Sequence, residues 1–328
     1  MERSISCHRP RSGITLIETL VAITIVSLLL AIILPAVQSA RSTSRRMQCS
    51  NHQRQLLLAL SNYAETHGTL PPLSMSGGGS GCPETGITRL FPYVDLPPIC
   101  DIGKDVTRLA VLECPADAEI AQVERPLSYS FNASPGESAG SRAHGPFNEY
   151  SIVRTSDIID GMSTTAALSE NIVTLAGGSD ALASKNASRY TWGVFVPVMS
   201  SASIANPLTE SALAERAEQT DLSIVDCMQG PRNFTPVPFS ALGQWIGRFG
   251  SGTWTYSHWY PPNVPNCSSQ GSGTDSFLMQ NRRAASGHAG GVNVGFLDGH
   301  GKFVSDTIDK HVWRAMGTRD GNEAVGDY

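Results

Sequence analysis

The sequence predicts an α+β fold: a long N-terminal helix, half membrane-spanning and half amphipathic, packed on a mainly antiparallel β-sheet domain with long loops. Three observations carry that expectation. From Ile14 to Leu34 the chain holds one ionisable side chain, Glu18. From 36 to 66 apolar residues recur at intervals of three and four, as one face of a helix requires. Beyond Leu73 that period gives way to short β-type runs set among dense glycine, proline and serine.

The apolar run comes first. At about 1.5 Å per helical residue, 21 positions reach roughly 30 Å, the thickness of a bilayer core. No second run approaches this length, so a single span is expected. A secretory signal peptide is the rival reading, with Ala36 to Ala40 as its small-residue cleavage site. Glu18 bears on the choice, because a carboxylate in hydrocarbon costs a few kcal/mol and persists where a partner compensates it or a function requires it. Its plain alternative is to snorkel to the interface from the first turn.

The amphipathic half carries Val37, Ala40, Ser44, Met47, Leu56, Leu57, Leu60, Tyr63 and Ala64. Pro35 marks a bend between the halves, since proline removes a helical hydrogen bond and clashes with the preceding turn. The helix stops at His67-Gly68, with Pro71-Pro72 beyond.

Strands are expected at 109–112, 127–131, 150–153, 165–168, 190–198, 292–297 and 302–304. Stretches 74–81 and 132–146 read as loops, and 208–219 as a short helix. Asp298-Gly299 is a turn dipeptide joining the last two strands, with His288 buttressing that hairpin.

The 328 residues are 41% hydrophobic and 16% charged, which excludes both disorder and a polytopic membrane protein. A net charge of -5 gives no electrostatic footprint for nucleic acid. Arg41, Arg45, Arg46 and Arg54 cluster on the helix past the span, where a solvated or lipid-headgroup face suits them. Arginines flank the span on both sides, so positive-inside counting does not choose a direction. Setting aside Cys7, which precedes the apolar span, Cys49, Cys82, Cys100, Cys114, Cys227 and Cys267 form an even set without a Cys-x-x-Cys pair. In an exported domain that reads as disulfides, with fifteen possible connectivities.

A basic leader ending in Gly13, then Ile14 and Thr15-Leu16-Ile17-Glu18, resembles the N-terminal signature of type IV pilins and pseudopilins. The resemblance implies a prepilin peptidase/methylase that cuts between Gly13 and Ile14 and methylates the new amine. It implies other pilin-like subunits as partners, with Glu18, the fifth mature residue, facing a neighbour's N-terminal amine during assembly. It also implies a type IV pilin-like architecture: leader 1–13, transmembrane helix 14–35, helical extension 36–67, and an extracytoplasmic domain 68–328. The N-terminus would be cytoplasmic and the main domain periplasmic.

The likeness widens through Asn62 to Pro72, Leu112 to Asp117, Asp160 to Thr165 with Ser169-Glu170, Pro261-Pro262-Asn263, Trp313 to Arg319, and His288 followed after nine residues by Asp298-Gly299. Together these resemble a large bacterial family of pseudopilin-like proteins whose C-terminal domain is of unassigned function and is sometimes labelled solute-binding. Departures are Ile14 for Phe, Thr164-Thr165 for Asn-Thr, and His300 for Ser.

Chemistry has weaker support. His288, Asp298 and His300 offer ligand types for a metal-dependent hydrolase, without a recognised metal spacing. Asp160-Gly161 leads a turn rather than a calcium loop, because Met162 interrupts the oxygen ligands. Ser286-Gly287-His288 is no nucleophile elbow, and Gly77 to Gly81 lacks the Lys-Ser/Thr of a phosphate loop. Trp245, Trp254, Trp259 and Tyr260 form either a sugar- or peptide-stacking surface or the satellite core of a loop closed between Cys227 and Cys267. The expectation is a non-enzymatic, cofactor-free assembly protein; a membrane-tethered solute- or glycan-binding module is the alternative. Pairing neighbours within each region joins Cys82 to Cys100 and Cys227 to Cys267, leaving Cys49 on the helix to meet Cys114; the other possibility is that some pairs stay free as buried thiols.

Overall fold

The computed structural model describes residues 15–73, 85–96, 108–118, 120–122, 126–133, 145–148, 152–172, 191–193, 235–236, 255–258, 261–264, 266–268, 280–281, 283–322 and 326. The chain divides into two compact units, 1–44 and 45–328.

Helix α1 runs Leu16–His67 and continues through Pro35. In its first unit the side chains are exposed, among them Leu16, Ile23, Leu28 and Ile32. Burial begins at Cys49 and then follows Gln53, Leu56, Leu57, Leu60, Tyr63 and Ala64, a stripe at helical spacing. Val37, Ala40, Ser44 and Met47, expected on that stripe, are exposed. The helix ends as its sequence predicts: Gly68 takes a φ of 68° and donates its N–H to Ala64 O, 2.8 Å away.

Among the described residues nine strands follow: β1 Tyr129–Asn132, β2 Ala166–Glu170, β3 Thr191–Gly193, β4 Thr235–Pro236, β5 Thr255–Tyr256, β6 Asn266–Ser268, β7 Gln280–Asn281, β8 Gly291–Phe296 and β9 Gly301–Ser305. A short helix, α2, spans Lys310–Ala315, its N-cap Asp309 accepting from the N–H groups of His311 and Val312. One sheet has the order β5-β1-β2-β8-β9 and the other β4-β3-β6-β7. Both are mixed, because β1 pairs parallel with β5 and β3 parallel with β6 while the remaining pairs are antiparallel.

The central strands β1, β2 and β8 are buried along their whole length, so the five-stranded sheet has a core on each face. Alternation sorts the residues. Tyr129, Phe131 and Leu168 join Leu56, Leu57, Leu60 and Tyr63 of the helix, whereas Ala166, Val292, Val294 and Phe296 join Tyr256, Trp313 and Met316. Helix and sheet approach closely at Gly295, where an added Cβ would lie 2.5 Å from Leu57 Cδ1. Gln53 reaches from the helix to the sheet backbone, donating from Nε2 to Leu168 O and Asn293 O, each at 3.1 Å.

Two expectations about elements change. Residues 110–112 form a 3-10 turn, closed by the Leu112 N–H on Leu109 O, rather than a strand. The run at 150–153 supplies no strand among its described residues; only an isolated antiparallel bridge joins Thr69 and Arg154. Arg46 is exposed, as the sequence predicts, and its guanidinium carbon also lies 3.4 Å from the centroid of the Phe303 ring on β9.

Candidate functional site

The residues richest in chemistry meet where α1 crosses the end of β2. Cys49 comes from the buried stripe of the helix, and Cys114 follows the 3-10 turn, its N–H donated to Ser128 Oγ at 3.0 Å. They form a disulfide with Cα atoms 4.8 Å apart, the pairing expected from the sequence. Tyr129 on β1 donates its hydroxyl to Cys49 O at 2.8 Å. Burial, and then the charge of Glu170, raises the Tyr129 pKa well above the usual phenol value.

Glu170 is the last residue of β2 and only 1% exposed. Asn293 on β8 holds it from two directions, its backbone N–H 2.9 Å from Oε2 and its side-chain Nδ2 2.8 Å from Oε1. His288 enters from the segment before β8 and sets Nε2 3.2 Å from Glu170 Oε1. Cys114 Sγ lies 3.8 Å from both that oxygen and that nitrogen. One ligand-type atom from each of Cys49, Cys114, Glu170 and His288 therefore falls within 4.8 Å of the others, and all four residues are buried. Glycine makes room nearby: a Cβ on Gly287 would stand 2.2 Å from the backbone oxygen of Ala116.

This cluster is not a nucleophile-base-orienter triad. Such a relay uses the two ring nitrogens of the histidine for different partners. Here Glu170 and Cys114 approach the same Nε2, and the sulfur is already bonded to Cys49.

The hydrolase grouping of His288, Asp298 and His300 does not assemble. Asp298 and His300 pair with each other on the exposed β8–β9 turn, Nδ1 to Oδ1 at 2.6 Å. His288 lies before the opposite end of β8, and six strand residues at about 3.3 Å each separate the ends by roughly 20 Å. His288 therefore does not buttress that hairpin. The hairpin turn itself forms where the sequence predicts, with Gly299 at a φ of 91°.

Two other segments singled out in the sequence find each other. Asp160 accepts from Thr318 Oγ1 at 3.0 Å, Gly321 N at 2.9 Å and Asn322 N at 2.6 Å, so its turn anchors the C-terminal stretch rather than a calcium ion. Asn263 takes a φ of 60°, accepts from Ser286 N at 2.8 Å and donates to Asp306 Oδ1 at 2.6 Å. On the sheet's other face His258 is fully buried between the Tyr256 hydroxyl, 2.8 Å from Nε2, and Trp313 O, 2.7 Å from Nδ1. Burial lowers its pKa to about 3, partly offset by the bond to Trp313. Its ring is neutral, with Nδ1–H donating to the carbonyl and Nε2 accepting from Tyr256.

At the head of α1 the Glu18 carboxylate accepts from Thr15 N and Thr15 Oγ1, both at 2.8 Å. Thr15-Leu16-Ile17-Glu18 has the spacing of a capping box, a pattern that local sequence alone can display. Glu170 and Asn293 gave no such signal, because they come together only by strand pairing. Gly13, Ile14, Cys82, Cys100, Cys227, Trp245, Trp254, Trp259 and Tyr260, like the helix expected at 208–219, lie outside the described residues, and Cys267 is described only as backbone of β6.

Comparison with known proteins gives two family matches. A model described as "Prokaryotic N-terminal methylation motif" matches residues 8–34. Another, SBP_bac_10, described as "Protein of unknown function (DUF1559)", matches residues 38–105 and 103–311. No curated protein and no solved structure matches the chain. Neither family description names an enzyme. The methylation motif and the apolar half of α1 make this a prepilin-type, pilin-like protein with a membrane anchor. Its matched length past that anchor covers most of the chain, and the protein belongs to the DUF1559 family.

Proposed function

We propose that the chain is a structural subunit of a type IV pilus-like or type II secretion-like filament, cut after Gly13 and methylated on Ile14. The match of residues 8–34 to the methylation motif carries this reading. Support comes from the helix that follows, whose large apolar side chains from Leu16 to Val37 are about half exposed or more and need lipid or a neighbouring subunit around them. The leader lies on the cytoplasmic side and the β-rich domain outside the cytoplasmic membrane, where the Cys49–Cys114 disulfide suits an oxidising compartment.

Mass spectrometry of the mature N-terminus tests the processing: a methylated Ile14 is expected, and an N-terminus near Ser39 or Ala40 overturns the reading. Assembly is tested at Glu18. Glu18→Gln keeps an acceptor for the Thr15 cap but loses the charge that would meet a neighbour's amine. Crosslinked oligomers should fall severalfold in Glu18→Gln while membrane insertion is unchanged.

The family's short name favours a second reading, a tethered module that captures a solute in the envelope. In that case Glu18→Gln would leave oligomer recovery and function at the unmutated level.

A further inference from the structure

We infer that the dithiol form of this protein holds a divalent metal ion of the zinc class at Cys49, Cys114, Glu170 and His288. Two thiolates, an imidazole and a carboxylate are a ligand set suited to zinc, which takes four such groups tetrahedrally.

The geometry is already close to that of a bound site. With metal–sulfur bonds of about 2.3 Å and metal–nitrogen or –oxygen bonds of about 2.0–2.1 Å, a tetrahedron has sulfur-to-nitrogen or sulfur-to-oxygen edges of about 3.5 Å and a nitrogen-to-oxygen edge of about 3.3 Å. The corresponding separations are 3.8 Å from Cys114 Sγ to His288 Nε2, 3.8 Å to Glu170 Oε1, and 3.2 Å between the nitrogen and the oxygen. Three ligands thus stand at three corners of one face. Cys49 Sγ, bonded to Cys114 Sγ in the disulfide, would need to stand about 3.7 Å from it, a shift within reach of a side-chain rotation.

Support behind the ligands is also built. Asn293 fixes both carboxylate oxygens of Glu170, the kind of outer hydrogen bonding that orients metal ligands. The four residues are between 0% and 6% exposed, so an uncompensated carboxylate and two thiolates there would be costly, and a dication would offset them.

The chemistry balances without further parts. A dithiol reductant transfers two electrons and two protons to the Cys49–Cys114 bond and leaves as its own disulfide. The metal then displaces the two thiol protons and binds both sulfurs. Oxidation by a disulfide reverses this and expels the ion, so the same two cysteines make either a covalent staple or a metal centre.

The test uses the full chain in detergent with Cys7, Cys82, Cys100, Cys227 and Cys267 replaced by serine, which leaves Cys49 and Cys114 as its two cysteines. After reduction with a phosphine, zinc is titrated against a chromophoric chelator and the thermal midpoint is followed. One zinc per reduced chain is expected, with a raised midpoint, and none with the disulfide intact. Cobalt should give the charge-transfer and visible bands of a tetrahedral thiolate site. His288→Ala and Glu170→Gln should each weaken zinc at least tenfold. The proposal fails if the reduced chain binds no stoichiometric zinc, if these two variants bind as tightly as the parent, or if a reduced chain that unfolds is not refolded by the metal.

Discussion

His258 shows how a single buried residue can set the response of the whole chain to acid. Its ring is sealed between Tyr256 and Trp313 and its pKa is lowered to about 3, whereas in the unfolded chain it takes up a proton near pH 6.5. The stability it contributes is therefore fully present above about pH 6.5 and is lost as the pH falls toward 3. Over that window each pH unit removes up to about 1.4 kcal/mol. Urea unfolding midpoints measured from pH 7 to pH 4 should fall for the unmodified protein and fall less steeply for His258→Gln. Parallel slopes in the two proteins would show that other groups govern acid unfolding. Nothing in the sequence marked His258, whose environment is made by residues up to 55 positions away. His288 was visible as a chemically interesting residue, but its partners on the page of the sequence, Asp298 and His300, belong to the far end of a strand.

Among the elements, β8 is the one on which the fold turns. Val292, Val294 and Phe296 enter one core while Asn293 and Gly295 meet the helix, so the strand reads both faces in one alternating run. Gly295 sits under Leu57, a residue only 2% exposed. Gly295→Ala should lower stability by about 1–3 kcal/mol through overpacking. Leu57→Ala should itself be destabilising, yet in combination with Gly295→Ala the loss should be smaller than the two losses added, by at least about 0.5 kcal/mol. Denaturation of the four proteins of this cycle supplies the measurement, and strict additivity would mean that the close approach carries no strain.

For the molecule as a whole, the Cys49–Cys114 bridge joins the helix to the sheet domain across 65 positions of sequence. In the chain-entropy model, closing a loop of that size contributes about 4 kcal/mol by restricting the unfolded ensemble. Reduction in the presence of a chelator, or the Cys49→Ser/Cys114→Ser double substitution, should lower the unfolding free energy by roughly that amount. A loss below about 1 kcal/mol would indicate that burial of Leu56, Leu57, Leu60 and Tyr63 holds the second half of α1 in place unaided. Adding zinc separates the two chemical states: it should restore part of the loss to the reduced chain and none to the double substitution.

Local chemistry was enough to write much of this protein into its sequence. A 52-residue helix, its stop at Gly68, the strands around 129, 166, 291 and 301 and the turn at Asp298-Gly299 follow from periodicity and breakers, and the Cys49–Cys114 pairing comes from one of fifteen connectivities, selected by joining the other cysteines to their neighbours. These features depend on neighbours in the chain, or on a few residue types with one strong preference. Tertiary structure decided the rest. Whether 110–112 would extend or turn, which strands would lie parallel, and which carboxylate His288 would meet depend on register between segments far apart in sequence. Glu170 and Asn293 are 123 positions apart and become partners only because β2 and β8 pair antiparallel at one register. A slip of one residue between the two strands would leave these side chains on opposite faces of the sheet, and the cluster beside the disulfide would not exist.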